Sequence, residues 1–217
     1  MPPIYRSLDE KKDLEAKNGA LQFLQVVSEI EDWKSGTSQI SPKLLLSLQH
    51  RAIVNIYSCA GNVRTGPVYI KDGDLIVHEP PPWQEVQGLV DEMCQYVNDG
   101  WDYLSAVHIA AYLLWRLNWI HPFFGGNGRT ARSISYLALC AKLGFRMPGK
   151  VTIPDHIVKR RNEYIGALRI ADKAWESRKI DVMPMEQLME SVMAAQMIEV
   201  IQQATGRPVI PENLSPP

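Results

Sequence analysis

Charge is nearly balanced in this chain: 23 lysines and arginines stand against 24 aspartates and glutamates, for a net charge of −1. That leaves no broad basic footprint, so nucleic acid is not an expected partner. Cysteine is scarce. Cys59, Cys94 and Cys140 make an odd set without metal-type spacing. Each falls in a helical pattern and reads as a small buried thiol, and no metal-ligating residues are expected. Long unbroken apolar runs are missing too. The nearest candidate, Tyr103 to Ile120, is interrupted by Arg116 and Asn118 and followed by a charged glycine loop. It reads as a buried core helix, so no membrane partner is expected. The amino terminus has no apolar h-region, which excludes a signal peptide and makes the cytoplasm the expected location. No repeat and no long linker divides the 217 residues.

What is present is an ordinary globular composition, 46% hydrophobic and 22% charged. Helical spacing runs over residues 9–33. A polar break, 34–39, leads to Ser41-Pro42, a cap followed by proline, which starts a helix expected to reach about Ala60 before Gly61. Val68-Tyr69-Ile70 and Leu75-Ile76-Val77 flank Lys71-Asp72-Gly73-Asp74 and predict a β-hairpin. Pro80-Pro81-Pro82 stops it. Further helices are expected over 83–97, 103–120, 130–143, 154–176 and 184–205. Met185, Met189, Met193 and Met197 share one face of the last of these, an adaptable core stripe. The expected fold is mainly α: one core of about seven helices with a small hairpin. Residues 1–39 form a helical extension, 40–206 the main domain and 207–217 a proline-containing tail.

The chain's distinctive stretch is Ile120-His121-Pro122-Phe123-Phe124-Gly125-Gly126-Asn127-Gly128-Arg129-Thr130-Ala131-Arg132. Glycines permit a tight turn and close approach to a ligand. A glycine-rich turn that opens a helix aims free N–H groups and the positive dipole end outward, which suits a phosphate. Arg129 and Arg132, three apart, share a helix face. Together they make a phosphate clamp beside a candidate base, His121.

From His121 to Arg132 the sequence resembles the signature of the Fic family (filamentation induced by cyclic AMP) within the Fido fold. The family pattern is His-Pro-Phe, any residue, Asp or Glu, Gly-Asn-Gly-Arg, two of any residue, Arg, and eight of its nine specified positions match. Gly61-x-x-Arg64, the hairpin and the three prolines resemble the family's flap region. Arg161-x-x-Tyr164 with Ala167-Leu168 resembles its downstream helix. The resemblance implies a helical bundle around a central pair of motif helices with a β-hairpin flap.

It also implies transfer of a phosphate-containing group, most often AMP from ATP, onto a Ser, Thr or Tyr hydroxyl of a target protein. His121 would be the catalytic base. Backbone N–H groups of the Gly125, Gly126, Asn127, Gly128, Arg129 stretch would cradle phosphate, with Arg129 and Arg132 on the outer phosphates. Pro122 and Phe123 would pack the motif, and Tyr164 would wall the base pocket. The flap residues Val68, Tyr69, Ile70, Leu75, Ile76 and Val77 would dock the target by strand addition. A homodimer is left open.

The departure is Gly125. In the family an acidic residue there holds the Mg²⁺ that bridges the phosphates, so the usual protein ligand for that ion is absent. The alternative is therefore a nucleotide-binding regulatory or interaction module with lost or weak catalysis. Another donor, giving a phosphoryl or phosphocholine group, is a third reading. Many family members also carry a helix whose glutamate blocks the γ-phosphate through the last motif arginine. Glu31 sits in the matching region, but Val27 and Asp32 replace the other defining residues.

Overall fold

The computed structural model describes residues 3–33, 36 and 38–208. Residues 209–217 of the predicted tail lie outside them, as do Lys34, Ser35 and Thr37 of the polar break. The elements are α1 (Leu8–Trp33), α2 (Pro42–Ile53), β1 (Ile70–Asp72), β2 (Leu75–His78), a 3₁₀ turn (Trp83–Glu85), α3 (Val86–Asp99), α4 (Ala106–Ile120), α5 (Asn127–Leu143), α6 (Ile153–Lys159), α7 (Arg161–Trp175) and α8 (Met183–Thr205). The chain is mainly α, with eight α-helices and a two-stranded hairpin among the described residues. None of these helices is long and apolar enough to cross a membrane.

Contacts divide the chain into two compact units, Met1–Arg146 and Met147–Pro217, a boundary away from those near 39 and 206 that the sequence suggested. In the first unit α4 and α5 pack against each other; α1 and α2 lie on α5, and α3 lies on α4. A helix apolar all round must be buried on all sides. α4 is such a helix, with Ile109 to Leu117 and Ile120 withdrawn from solvent. Each large apolar side chain so buried contributes about 1.5–3 kcal/mol. α4 begins where the Ser105 hydroxyl accepts a bond from the His108 N–H (3.0 Å), so Tyr103 and Leu104 precede the helix. Arg116 lies within this core, its guanidinium over the rings of Trp119 and Trp115.

Buried amides tie the outer helices to the motif helices. From α1, Asn18 Nδ2 donates to Val54 O (2.8 Å) and Gln22 Nε2 to Leu48 O (2.9 Å). Asn98 on α3 bonds both the N–H and the C=O of Ile40, just ahead of α2. The sequence extended α2 to Ala60; it ends at Ile53, because Asn55 takes the left-handed conformation (φ 63°). Cys59 consequently sits half-buried in a turn, whereas Cys94 and Cys140 are buried on helices as expected. The hairpin pairs Lys71 with Ile76 and Asp72 with Leu75 across a turn in which Gly73 has φ 60°. Val68 and Tyr69, expected on the first strand, come before it.

In the second unit α6 and α7 both pack on α8. The sequence suggested one helix over 154–176, but Arg160 (φ −100°, ψ 40°) breaks it into α6 and α7. α6 starts with a capping box: Asp155 accepts from the Thr152 N–H and hydroxyl. Ile153, His156 and Ile157 are buried on α6 and Tyr164, Ala167 and Ala171 on α7, so the apolar spacing runs on through the break. The methionine face of α8 is graded: Met185 and Met189 are fully buried, whereas Met197 is exposed.

Candidate active site

The site begins where α4 stops. His121 caps that helix in the left-handed conformation (φ 50°, ψ 58°), its N–H bonded to Leu117 O. A residue with a β-carbon seldom adopts this conformation unless its surroundings impose it. Here the surroundings are Arg64, a buried cation whose partners are carbonyl oxygens. Its Nε donates to His121 O (2.8 Å), and its terminal nitrogens donate to Ile120 O (3.3 Å), Gly66 O (3.2 Å) and Pro81 O. Its backbone N–H donates to Pro122 O (2.8 Å). A guanidinium at the carbonyl end of α4 also complements the helix dipole. Burial lowers its pKa from the usual arginine range.

The imidazole of His121 has Nδ1 3.3 Å from Asn118 O. With Nδ1 as donor, Nε2 keeps its lone pair, which is the arrangement a general base needs. Burial pushes its pKa down to about 4; the Asn118 bond works the other way, and His78 and Arg64 add to the depression. The ring is therefore neutral near pH 7. His78 is itself anchored, Nε2 2.9 Å from Trp119 O.

Beyond His121 the loop closes on itself. Asn127 Oδ1 accepts from the Phe123 N–H (3.0 Å) and Asn127 Nδ2 donates to Phe123 O (2.8 Å). Asn127 thus works within the loop. Phe123 packs inward at 1% exposure, and Pro122 is buried behind it. Gly126 caps α5 with φ 81°, and a β-carbon there would meet Ile53 Cγ2 at 2.9 Å, so this position requires glycine. The Thr130 N–H bonds back to Gly126 O. The N–H groups of Asn127, Gly128 and Arg129 precede that first rung and form the positive end of α5.

Gly125 is different. A β-carbon on it would touch only the Tyr57 ring, at 3.7 Å, so its backbone imposes no need for glycine. Its carbonyl accepts from Gln49 Nε2 (3.0 Å), while Gln49 Oε1 accepts from the Gly61 N–H (2.6 Å). Position 125 offers a metal only backbone. Among the described residues, no cluster of three or more His, Cys, Asp or Glu side chains is placed to hold one. A Mg²⁺ bridging nucleotide phosphates would find no carboxylate at position 125.

Of the two arginines, Arg129 donates from Nη1 to Ala52 O (2.8 Å) and from Nη2 to Glu15 Oε1 (3.3 Å). Arg132 comes back toward the turn, its Nη1 3.2 Å from where a β-carbon on Gly128 would lie. So His121, residues 122–129 and Arg132 come together on the α4–α5 connection.

Residues 39–139 match the model of the Fic/DOC family. The chain carries a Fic/DOC-family domain. A Fido domain-containing protein of Dictyostelium discoideum is 38% identical over 72 residues, 33% of this chain and 46% of that protein. A protein of Drosophila persimilis named protein adenylyltransferase Fic is 26% identical over 174 residues, 77% of this chain and 30% of that one. The chain thus spans less than half the length of these curated relatives. Among solved structures, a Fic domain-containing signalling protein of Bacteroides thetaiotaomicron superposes with a TM-score of 0.75 at 19% identity, covering 94% of this chain and 75% of that one. At that identity the likeness establishes the fold, the Fic fold expected from the motif.

Glu31 is exposed near the C-terminal end of α1. The carboxylate on Arg129, the first motif arginine, is Glu15, sixteen residues before Glu31 on the same helix, about 24 Å along it. Tyr164 is buried on α7, in the second unit. In the hairpin, Leu75 and Ile76 face solvent, as does Tyr69 ahead of it. Sequence reasoning missed Gln49 and Glu15 and quoted Arg64 without its role. The one available signal was a polar or charged residue inside an apolar pattern, as with Gln49 after Leu48.

Proposed function

We propose that this chain transfers a phosphate-containing group from a nucleotide, AMP from ATP in the first instance, onto a Ser, Thr or Tyr hydroxyl of a target protein. The observation that carries the reading is a neutral His121, held left-handed at the end of α4, six residues ahead of the amides that open α5. The hydroxyl oxygen attacks the α-phosphorus as its proton passes to His121 Nε2, and pyrophosphate leaves. The amides at the start of α5 stabilise the charge that develops on the phosphoryl oxygens. An anionic nucleotide beside His121 raises its proton affinity from the depressed value of the free protein, toward what a base needs near neutral pH. Arg132 and Arg129 take the outer phosphates, Arg129 by exchanging Glu15 for phosphate. The hairpin presents the target strand, and the supply of ATP points to the cytoplasm. Support also comes from the adenylyltransferase name of the Drosophila relative.

A second reading, a nucleotide-binding module that has lost transfer, is favoured by one observation: position 125 and its surroundings lack a metal-holding carboxylate cluster. Intact-mass analysis of a host lysate incubated with the protein and ATP separates the two. The transferase reading expects a protein gaining the mass of an adenylyl group, abolished by His121→Ala. An adduct of another mass would change the donor. An adduct undiminished by His121→Ala would refute His121 as base. An adduct appearing only with Gly125→Glu, whose β-carbon meets the Tyr57 ring at ordinary contact distance, would establish the second reading.

A further inference from the structure

A groove of about 540 Å³ opens beside the hairpin, walled by Tyr69 and Trp83, with Pro80, Pro81 and Pro82 between them in the chain and Arg64 and Glu79 in its lining. Two large aromatic side chains stand in solvent there, Tyr69 at 49% and Trp83 at 40% exposure. Three features say what would cover them. The first is charge. Arg64 turns its donors to backbone carbonyls and keeps its charge, so it and Glu79 balance within the lining, while Asp72, Asp74 and Glu85 lie exposed nearby in the chain against a single Lys71 and make the surroundings acidic. The second is continuity. Tyr69 directly precedes β1 and Glu79 directly follows β2, so a chain added along the hairpin would run on into the groove. The third is linkage to the base. The Arg64 that lines the groove and bonds Pro81 O also bonds His121 O.

Aromatic walls with an acidic residue in the lining and acidic surroundings suit an extended polyproline-type segment bearing a cation, because that conformation is preformed and presents flat apolar faces. We infer that this groove docks an extended stretch of the target protein containing proline and at least one lysine or arginine, alongside the hydroxyl presented to His121. The inference rests on the protein-transferase reading, and it names the class of target sequence that the bare hairpin edge does not select.

The test is to pan a phage-displayed random dodecapeptide library on the full chain without nucleotide, with Trp83→Ala and Glu79→Lys in parallel. Both substitutions fall on exposed residues, and unchanged thermal unfolding would verify the fold. The expected result is recovery of peptides rich in proline and basic residues, with about tenfold or more lower recovery on Trp83→Ala and a shift to acidic peptides on Glu79→Lys. Absence of enrichment, equal recovery on Trp83→Ala, or selection indifferent to the charge at position 79 would overturn the groove. Peptide capture without any adduct on a protein would leave the groove standing and remove the transferase reading. Transfer insensitive to Trp83 and Glu79 would remove the groove alone.

Discussion

At the scale of single residues, His121 and the two neighbouring glycines carry the sharpest consequences. The folded-state pKa of His121, about 4, lies below its ordinary value of 6.5. Between those two pH values the unfolded chain binds the extra proton, so stability falls as pH drops through that window and is untouched above it. The loss amounts to at most about 3 kcal/mol. Urea unfolding of wild type at pH 7 and pH 4.5 is expected to show this drop, and His121→Asn to show a smaller one; equal drops would contradict it. Gly126 and Gly125 make a contrast. Gly126→Ala puts a β-carbon 2.9 Å from Ile53 Cγ2 in a left-handed conformation and is expected to cost about 1–3 kcal/mol. Gly125→Ala has room and is expected to change stability by about 0.5 kcal/mol or less. Denaturant midpoints of the two variants decide it. The His121–Arg132 pattern marked a candidate base and a glycine-rich turn in the sequence, but which glycine the backbone demands depends on φ and on Ile53, which is distant in sequence.

At the scale of elements, the motif is held by contacts that no local pattern encodes. Arg64 fastens the approach to the hairpin to the end of α4, and Gln49 fastens α2 to the loop. Arg64→Lys retains the charge but not the fan of donors. It is expected to destabilise by about 2 kcal/mol and to lower the rate of transfer more than the affinity for ATP. Steady-state kinetics would contradict this if affinity fell and the rate held. α1 supplies Glu15 to Arg129, a half-exposed pair worth about 1 kcal/mol or less. Because phosphate and Glu15 compete for one guanidinium, Glu15→Gln is expected to tighten ATP binding by about two- to fivefold. Calorimetric titration checks it, and unchanged or weaker binding would refute the competition. The helices themselves were readable from periodicity and caps. The end of α2 at Asn55 and the break at Arg160 were not, because the apolar spacing continues through both.

At the scale of the molecule, the family match at 39–139 falls inside the first unit, yet α1 belongs to that unit too, packed on α2 and α5. The sequence set residues 1–39 apart as an extension because a polar break follows them; in the structure the buried Asn18 and Gln22 of α1 bond the backbone at Val54 and Leu48. Mainly α architecture, the hairpin and the helix pair that carries the motif could all be read from pattern and resemblance, whereas the division near 146 had only a Pro148-Gly149 turn to signal it. The central claim is that this scaffold turns His121 and the α5 amides into a device that moves AMP to a protein hydroxyl. Its most direct test is to incubate the protein and a host lysate in parallel with ATP labelled at the α-phosphate and ATP labelled at the γ-phosphate, with His121→Ala alongside. The account predicts protein-bound label from the α-position only, absent with His121→Ala. Label from the γ-position, or α-label that survives loss of His121, would contradict it.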